Sequence, residues 1–367
     1  MLQDISYNAT VITRAFGGTQ TVGIAWASHV KIVPSSTEVK RITSRPWSCD
    51  PYLQQTVSRL VLGKKSVGTT IEHSELLKRV FGDYVRRSKQ QNKLHPLSQS
   101  SRGVTNLRAC KVRFESCTRP MGRFILWFPA VMATLIYILT TRSGRPEAKR
   151  AAECLELIDN ERVVTLAMLA DAGDEALMVA RFFDTEKHDV SRTYQVLDTF
   201  RARIDYLFLQ GNCKNLGFTK FAIQALQQNY TFVVKGSVRG IGGGISNTVF
   251  VRALNRLKVW VGLAIATVRS EIPEWDITQL FSVLDMSLQG TGSDRRTGPA
   301  RQLNIDRLSN LLTLPTSKLT AELSHVLPVA LQLQSEGSYS NIEVCSLLTL
   351  MCAHFQNIEH GCVRGVL

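Results

Sequence analysis

The chain has 367 residues, 44% of them hydrophobic, and carries 44 Lys+Arg against 30 Asp+Glu for a net charge of +14. At roughly 150 residues per domain that length is about two domains' worth, with enough apolar side chains for a sizeable core. The ordinary apolar share and a mean hydropathy near zero exclude a wholly disordered chain, a collagen and a multi-span channel.

Charge is unevenly distributed. Residues 1–150 hold 24 Lys+Arg and 8 Asp+Glu, a net +16, whereas residues 151–367 are net −2. Such a basic segment suits a polyanionic partner, either nucleic acid or the anionic face of a membrane; a solvated basic arm has the same composition. Eight cysteines without a CxxC pair exclude a small disulfide scaffold and read as free thiols in a reducing compartment. The start, Met1-Leu2-Gln3-Asp4, has neither the charged nor the apolar region of a secretory leader, so an intracellular location, nucleus or cytoplasm, is expected.

Along the first 60 residues short β-prone runs, such as Thr10–Thr13 and Val30–Pro34, show no sustained alternation. Glu72 to Val85 reads as a helix with Leu76, Leu77, Val80 and Tyr84 on one side. Ser88 to Pro120 is rich in Ser, Gln, Asn and Arg and reads as a linker. Residues 1–120 are thus expected to form a basic, weakly ordered N-terminal third. Within residues 78–123 the candidate nucleic-acid contacts are Lys78, Arg79, Arg86, Arg87, Lys89, Arg102, Arg108, Lys111 and Arg113. Aromatic residues are few there, which predicts non-specific binding through charge alone.

Phe124 to Thr141 reads FILWFPAVMATLIYILTT, 18 residues without a charge. Within an apolar region 121–145 it is either a buried helix, the favoured reading, or a single membrane span of about 27 Å, just short of the ~30 Å hydrocarbon core. Residues 146–289 carry strong helical periodicity and form the expected helical body. Glu147–Leu157 is one helix. Val163–Phe183 and Val190–Gln210 make a helical hairpin that Gly211-Asn212 terminates, and Phe218–Gln227 adds a short helix. Tyr230–Val234 is the best strand candidate, followed by a glycine-rich loop, Gly236–Gly244, and a buried helix over Val249–Val268. Residues 290–302 read as a linker. In 303–367, helices are expected over Leu303–Leu312, Leu319–Gln334 (interrupted at Pro328) and Ile342–Phe355. The fold class predicted is mainly α, a bundle-like C-terminal body behind the basic N-terminal third.

Chemistry-bearing patterns are sparse. The glycine loop could cradle phosphate with its amides, but its spacing is neither GxGxxG nor GxxxxGK[ST], and a hinge is the simpler reading. Cys352, His354, His360 and Cys362 are competent zinc ligands by type but lack finger spacing. Asp171, Asp174, Asp184, Asp189, Asp198 and Asp205 crowd the hairpin as converging carboxylates could, yet they alternate with Arg and Lys as solvated helix faces do. No catalytic residue, cofactor or metal ligand is therefore assigned.

Leu169, Asp171, Glu175 and Leu177, followed by Asp189 and Ser191, lie in a stretch, residues 163–208, that resembles the helical region of domesticated hAT-superfamily transposase proteins. Those carry a helix of type LxDxxxELxxLS and then a polar turn opening a second long helix; here Ala176 separates Glu175 from Leu177. Leu303–Leu308 and Leu323–Pro328 extend the likeness loosely to about residue 335. The family's catalytic acidic triad, its CxxH element and its dimerisation block have no counterpart. The resemblance accordingly implies a truncated, catalytically silent relative; with the basic segment, the expectation is a non-catalytic, transposase-derived interaction protein that binds nucleic acid through the charge of 78–123 and a protein partner through the helical body. A single-pass membrane protein anchored by 124–141 is the alternative expectation.

Overall fold

The computed structural model describes residues 46–91, 107, 115–184, 190–271, 275–284, 299–312, 315–317, 319–321 and 324. Of the residues described, 79% are helical, and the fold is mainly α. Two compact units form: one takes Thr43–Met178 and Ala202–Ile265, the other Val179–Arg201 and the described residues of Ala266–Leu367.

The first unit begins inside the segment expected to be weakly ordered. Asp50 caps helix α1 (Pro51–Val57) by accepting the Leu53 N–H at 3.0 Å, and Pro51 presets the first turn. A π-turn, Ser58–Leu62, continues it. Ser66 caps α2 (Val67–His73) through the Thr69 N–H at 3.1 Å. Ser74 then opens α3 (Glu75–Gln90), accepting from Leu77 N at 3.4 Å. The single helix expected over 72–85 is thus two helices, because the Ser74 hydroxyl offers the backbone an alternative partner where the chain would otherwise continue. The buried stripe of α3 is Leu77, Phe81 and Val85, one position round from the expected one, and the whole region packs into a core.

The uncharged run at 124–141 does not form one rod. Helix α4 (Glu115–Leu126) and helix α5 (Phe128–Thr141) meet at an angle of 70° at Trp127. Pro129 causes the break: its ring collides with the carbonyl four residues back and it has no N–H to donate, so Trp127 leaves the helical region at φ −106°, ψ 14°. With 14 residues, α5 is about 21 Å long, well short of the ~30 Å hydrocarbon core. Among the described residues no single helix is long and apolar enough to cross a membrane; only the bent pair passes on length and composition. Phe124, Ile125, Trp127, Phe128, Val131, Met132, Leu135 and Ile138 are all buried against the rest of the unit. The favoured expectation of a buried segment stands, bent near its start at Trp127, and the straight span is replaced. The boundary expected at residue 120 falls inside α4, which accommodates Pro120.

Helix α6 (Pro146–Leu157) packs on α5. Helix α7 (Asn160–Asp184) differs from its expected one-sided stripe: all eleven residues from 163 to 173 are buried. A helix apolar all round lies within a core rather than upon it. Helix α8 (Val190–Ile204) runs on into a π-turn, Asp205–Leu209, and Gly211 ends it at φ +78°. Arg203 ties it back to α7 by donating to Glu175 at 2.9 Å.

After α9 (Gly217–Ala225) come strands β1 (Tyr230–Val234) and β2 (Ser237–Ile241), antiparallel with Val233 opposite Val238. Their two-residue turn has Lys235 at φ 52° and Gly236 at φ 77°, the type I′ geometry whose twist suits a hairpin. The glycine-rich segment is therefore half strand, not loop. Gly242–Gly244 then dock the hairpin. The Gly242 amide donates to Asn160 Oδ1 at 2.8 Å, and the Asn160 amide returns bonds to the Gly242 and Gly244 carbonyls at 3.3 Å. Helix α10 (Asn247–Glu271) follows, with Arg256 stacked 4.0 Å over the Tyr52 ring and Arg252 paired with Glu161 at 2.8 Å.

The second unit buries Thr193, Leu197 and Phe200 from α8. It adds α11 (Trp275–Leu280), a 3₁₀ turn Phe281–Leu284 and α12 (Pro299–Leu312), which packs on α11. Helix α12 starts four residues before the expected boundary at 303. Most of Leu319–Gln334 and all of Ile342–Phe355 lie outside the described residues.

Candidate nucleic-acid interface

Helix α3 carries the described part of the basic set. Its buried stripe fixes the rotation of the helix, and that rotation leaves Lys78, Arg79, Arg86 and Arg87 exposed and Lys89 half-buried. Arg79 and Arg86 are two turns apart and share a side, so five cations of one helix offer a continuous positive surface with Asp83 as a partial counter-charge. The Arg86–Asp83 pair, 3.3 Å apart with both side chains well exposed, is worth little and yields readily to a phosphate. Arg102, Arg108, Lys111 and Arg113 lie outside the described residues.

Arg87 behaves differently from its neighbours. Its guanidinium lies 4.7 Å from the centre of the Tyr84 ring, on the side of α3 that faces a cleft of about 610 Å³ within the first unit. One wall is the end of α3, with Tyr84, Arg87 and Gln91. The floor is the start and middle of α5, where Pro129, Ala133 and Tyr137 present an apolar surface. The far wall is the entry to β1, with Gln228, Asn229 and Tyr230. The break at Trp127 makes this possible, since it turns α5 beneath α3, and the ring of Phe128 meets that of Tyr230 edge-on at 5.7 Å. Burial pushes the Tyr230 phenol up to about 12, so it stays protonated and donates to Gln228 Oε1 at 3.2 Å. Arg87 is among the residues expected from the sequence; its aromatic companions are not. Tyr137 and Tyr230 are 50 and 143 positions away along the chain, and only the i,i+3 pairing of Tyr84 with Arg87 was legible locally.

The carboxylates expected on solvated faces divide. Asp171 is 7% exposed and accepts three hydrogen bonds at the first turn of α9: from Phe218 N at 2.7 Å, Thr219 N at 3.0 Å and Thr219 Oγ1 at 2.6 Å. Gly217, at φ +56°, is needed there because a Cβ would strike the Asp171 carboxylate. Glu175, 8% exposed, is held by Arg203. Asp198 does lie half-exposed, paired with Arg201 at 2.6 Å. Both acidic residues of the LxDxxxE-like stretch are thus structural fasteners.

Burial, outweighing the bonds from Thr219 and Phe218, raises the Asp171 carboxyl to about 7. The unfolded chain loses this proton near pH 4 while the folded chain keeps it until about pH 7, so folding stability contributed by Asp171 is present at low pH and falls across that window. The stability advantage of the wild type over Asp171→Asn is expected to be largest near pH 4 and to shrink towards pH 7 in urea titrations. An advantage that grows with pH would contradict this assignment.

Among the described residues no group of three or more His, Cys, Asp or Glu could hold a metal ion, and Cys352, His354, His360 and Cys362 lie outside them. The amides of the glycine segment are committed: Gly243 N donates to the Gln228 carbonyl and Gly244 N to that of Leu226, so they form a fastening, not a phosphate cradle. What the described residues define is an α-helical protein with a basic helix face bordering an aromatic cleft. No protein-family model, curated protein or solved structure matches the chain.

Proposed function

We propose that the chain is a non-catalytic, transposase-derived protein that binds nucleic acid through the exposed face of α3. The observation that carries this reading is the folded presentation of Lys78, Arg79, Arg86, Arg87 and Lys89 on one helix whose other side is locked in a core. Charges on a rigid helix meet successive phosphates without first being ordered, and the excess of +16 over residues 1–150 adds long-range attraction. The non-catalytic part of the reading is supported by Asp171 and Glu175, whose carboxylates are engaged with the first turn of α9 and with Arg203.

The test is duplex DNA binding by the whole chain across a salt series. Affinity is expected to fall steeply with salt, and the slope of log K against log salt should lessen by about 0.9 for each phosphate contact removed. Replacing Lys78, Arg79 and Arg86 together by Glu should weaken binding at least ten-fold and flatten that slope, with no change in melting temperature because all three side chains are exposed. Binding unaffected by the triple replacement would overturn the reading.

A further inference from the structure

We propose that the cleft beside α3 receives one unpaired base of a single-stranded nucleic acid, the flanking phosphates lying along the basic face of the same helix. This rests on the nucleic-acid reading above and adds what that reading lacks, a preference for single strands.

Three features of the cleft converge on a base. Its flat surfaces come first: Tyr84 already carries the Arg87 guanidinium at 4.7 Å, and Tyr137 is 46% exposed. Aromatic rings and guanidinium planes are the groups on which unstacked bases lie, and the preference is sequence-tolerant because every base has a π-face. Hydrogen-bonding capacity comes second. The side-chain amides of Gln91 and Asn229 take no partner among the described residues, and each supplies donor and acceptor on one group, as a base edge requires. Charge comes third. Arg87 is the sole cation and no carboxylate is present among the described lining residues, which fits a neutral ring attached to a single phosphate better than a polyphosphate. At about 610 Å³ the cleft falls within the roughly 300–1,000 Å³ range of small-ligand sites, ample for one nucleotide and too small in volume for a duplex.

Position supports the same occupant. Arg86 and Lys89 adjoin Arg87 on α3, so a strand whose base enters the cleft has its neighbouring phosphates beside them. Binding through charge alone, expected from the shortage of aromatics in 78–123, is thereby revised. The exposed aromatic ring is recruited from α5.

The experiment uses the full chain with a fluorescein-labelled oligo-dT strand, the same strand paired with oligo-dA, and fluorescence anisotropy at matched salt. The wild type should bind the single strand more tightly than the duplex. Tyr137→Ala should lower the single-strand affinity about ten-fold, the effect of losing one stacked base, and reduce the single-strand-to-duplex ratio accordingly. Asn229→Ala, at an exposed position, should reduce the ratio in the same direction. Equal or tighter duplex binding, or a ratio indifferent to both substitutions, would overturn the cleft assignment while leaving the basic face in place. Absence of binding to either form would overturn the nucleic-acid reading itself, and the cleft assignment with it.

Discussion

Replacing Leu169 with Asp is expected to cost more than about 4 kcal/mol of folding stability. Leu169 is fully buried midway along α7, within the stretch 163–173 that has no solvent-facing side. An aspartate there cannot rotate out to water, and it must either keep a charge in an apolar surrounding or take up a proton. Both alternatives are expensive, and the lost leucine adds its own contacts to the deficit. Met178 lies further along the same helix but is 52% exposed, so Met178→Asp should stay within about 0.5 kcal/mol. Urea denaturation of the two variants measures the difference directly. A Leu169→Asp midpoint close to that of the wild type would mean that α7 does not run through a core.

Phe128→Ala should cost about 3–5 kcal/mol, the range for deleting a fully buried aromatic ring. Phe128 is the first residue after the helix break, and its ring is wedged between Phe124 at 6.2 Å and Tyr230 at 5.7 Å. The substitution empties the corner where α4, α5 and β1 converge, leaving a cavity that the bent backbone cannot close without losing its own packing. Denaturation by urea gives the magnitude, and a cost below about 1 kcal/mol would show that the corner repacks freely.

Much of the helical layout was legible because its cause is local. Apolar periodicity announced α6, α7, α8, α9 and α10 to within a few residues at most ends, and Gly211 announced the end of α8. Helices α1 and α2 were not expected although their signals were present, and α3 was expected without its true start: Asp50-Pro51, Ser66-Val67 and Ser74-Glu75 are all capping residues immediately before helices. Other features were illegible for a physical reason. Helix α7 buries every face, so no period distinguishes its central part from a one-sided helix. The buried role of Asp171 depends on Phe218 and Thr219, more than 40 positions away, and the cleft depends on Tyr84, Tyr137 and Tyr230 meeting through the bend at Trp127. Pro129 marks in the sequence where a helix breaks, but a proline does not say what the break brings together.

Pro129 has a second consequence, in the chain before it folds. The 18-residue run from Phe124 to Thr141 is the longest uncharged apolar stretch, and it begins with large, aggregation-prone side chains. Runs of that composition pair readily with copies of themselves as cross-β ladders unless something interrupts the backbone. A proline five residues after Phe124 removes one ladder donor and cannot sit in a central strand. The same ring that turns the folded helix through its corner therefore acts as a gatekeeper in the newly made chain, discouraging intermolecular sheet formation until α4 and α5 have closed around the core.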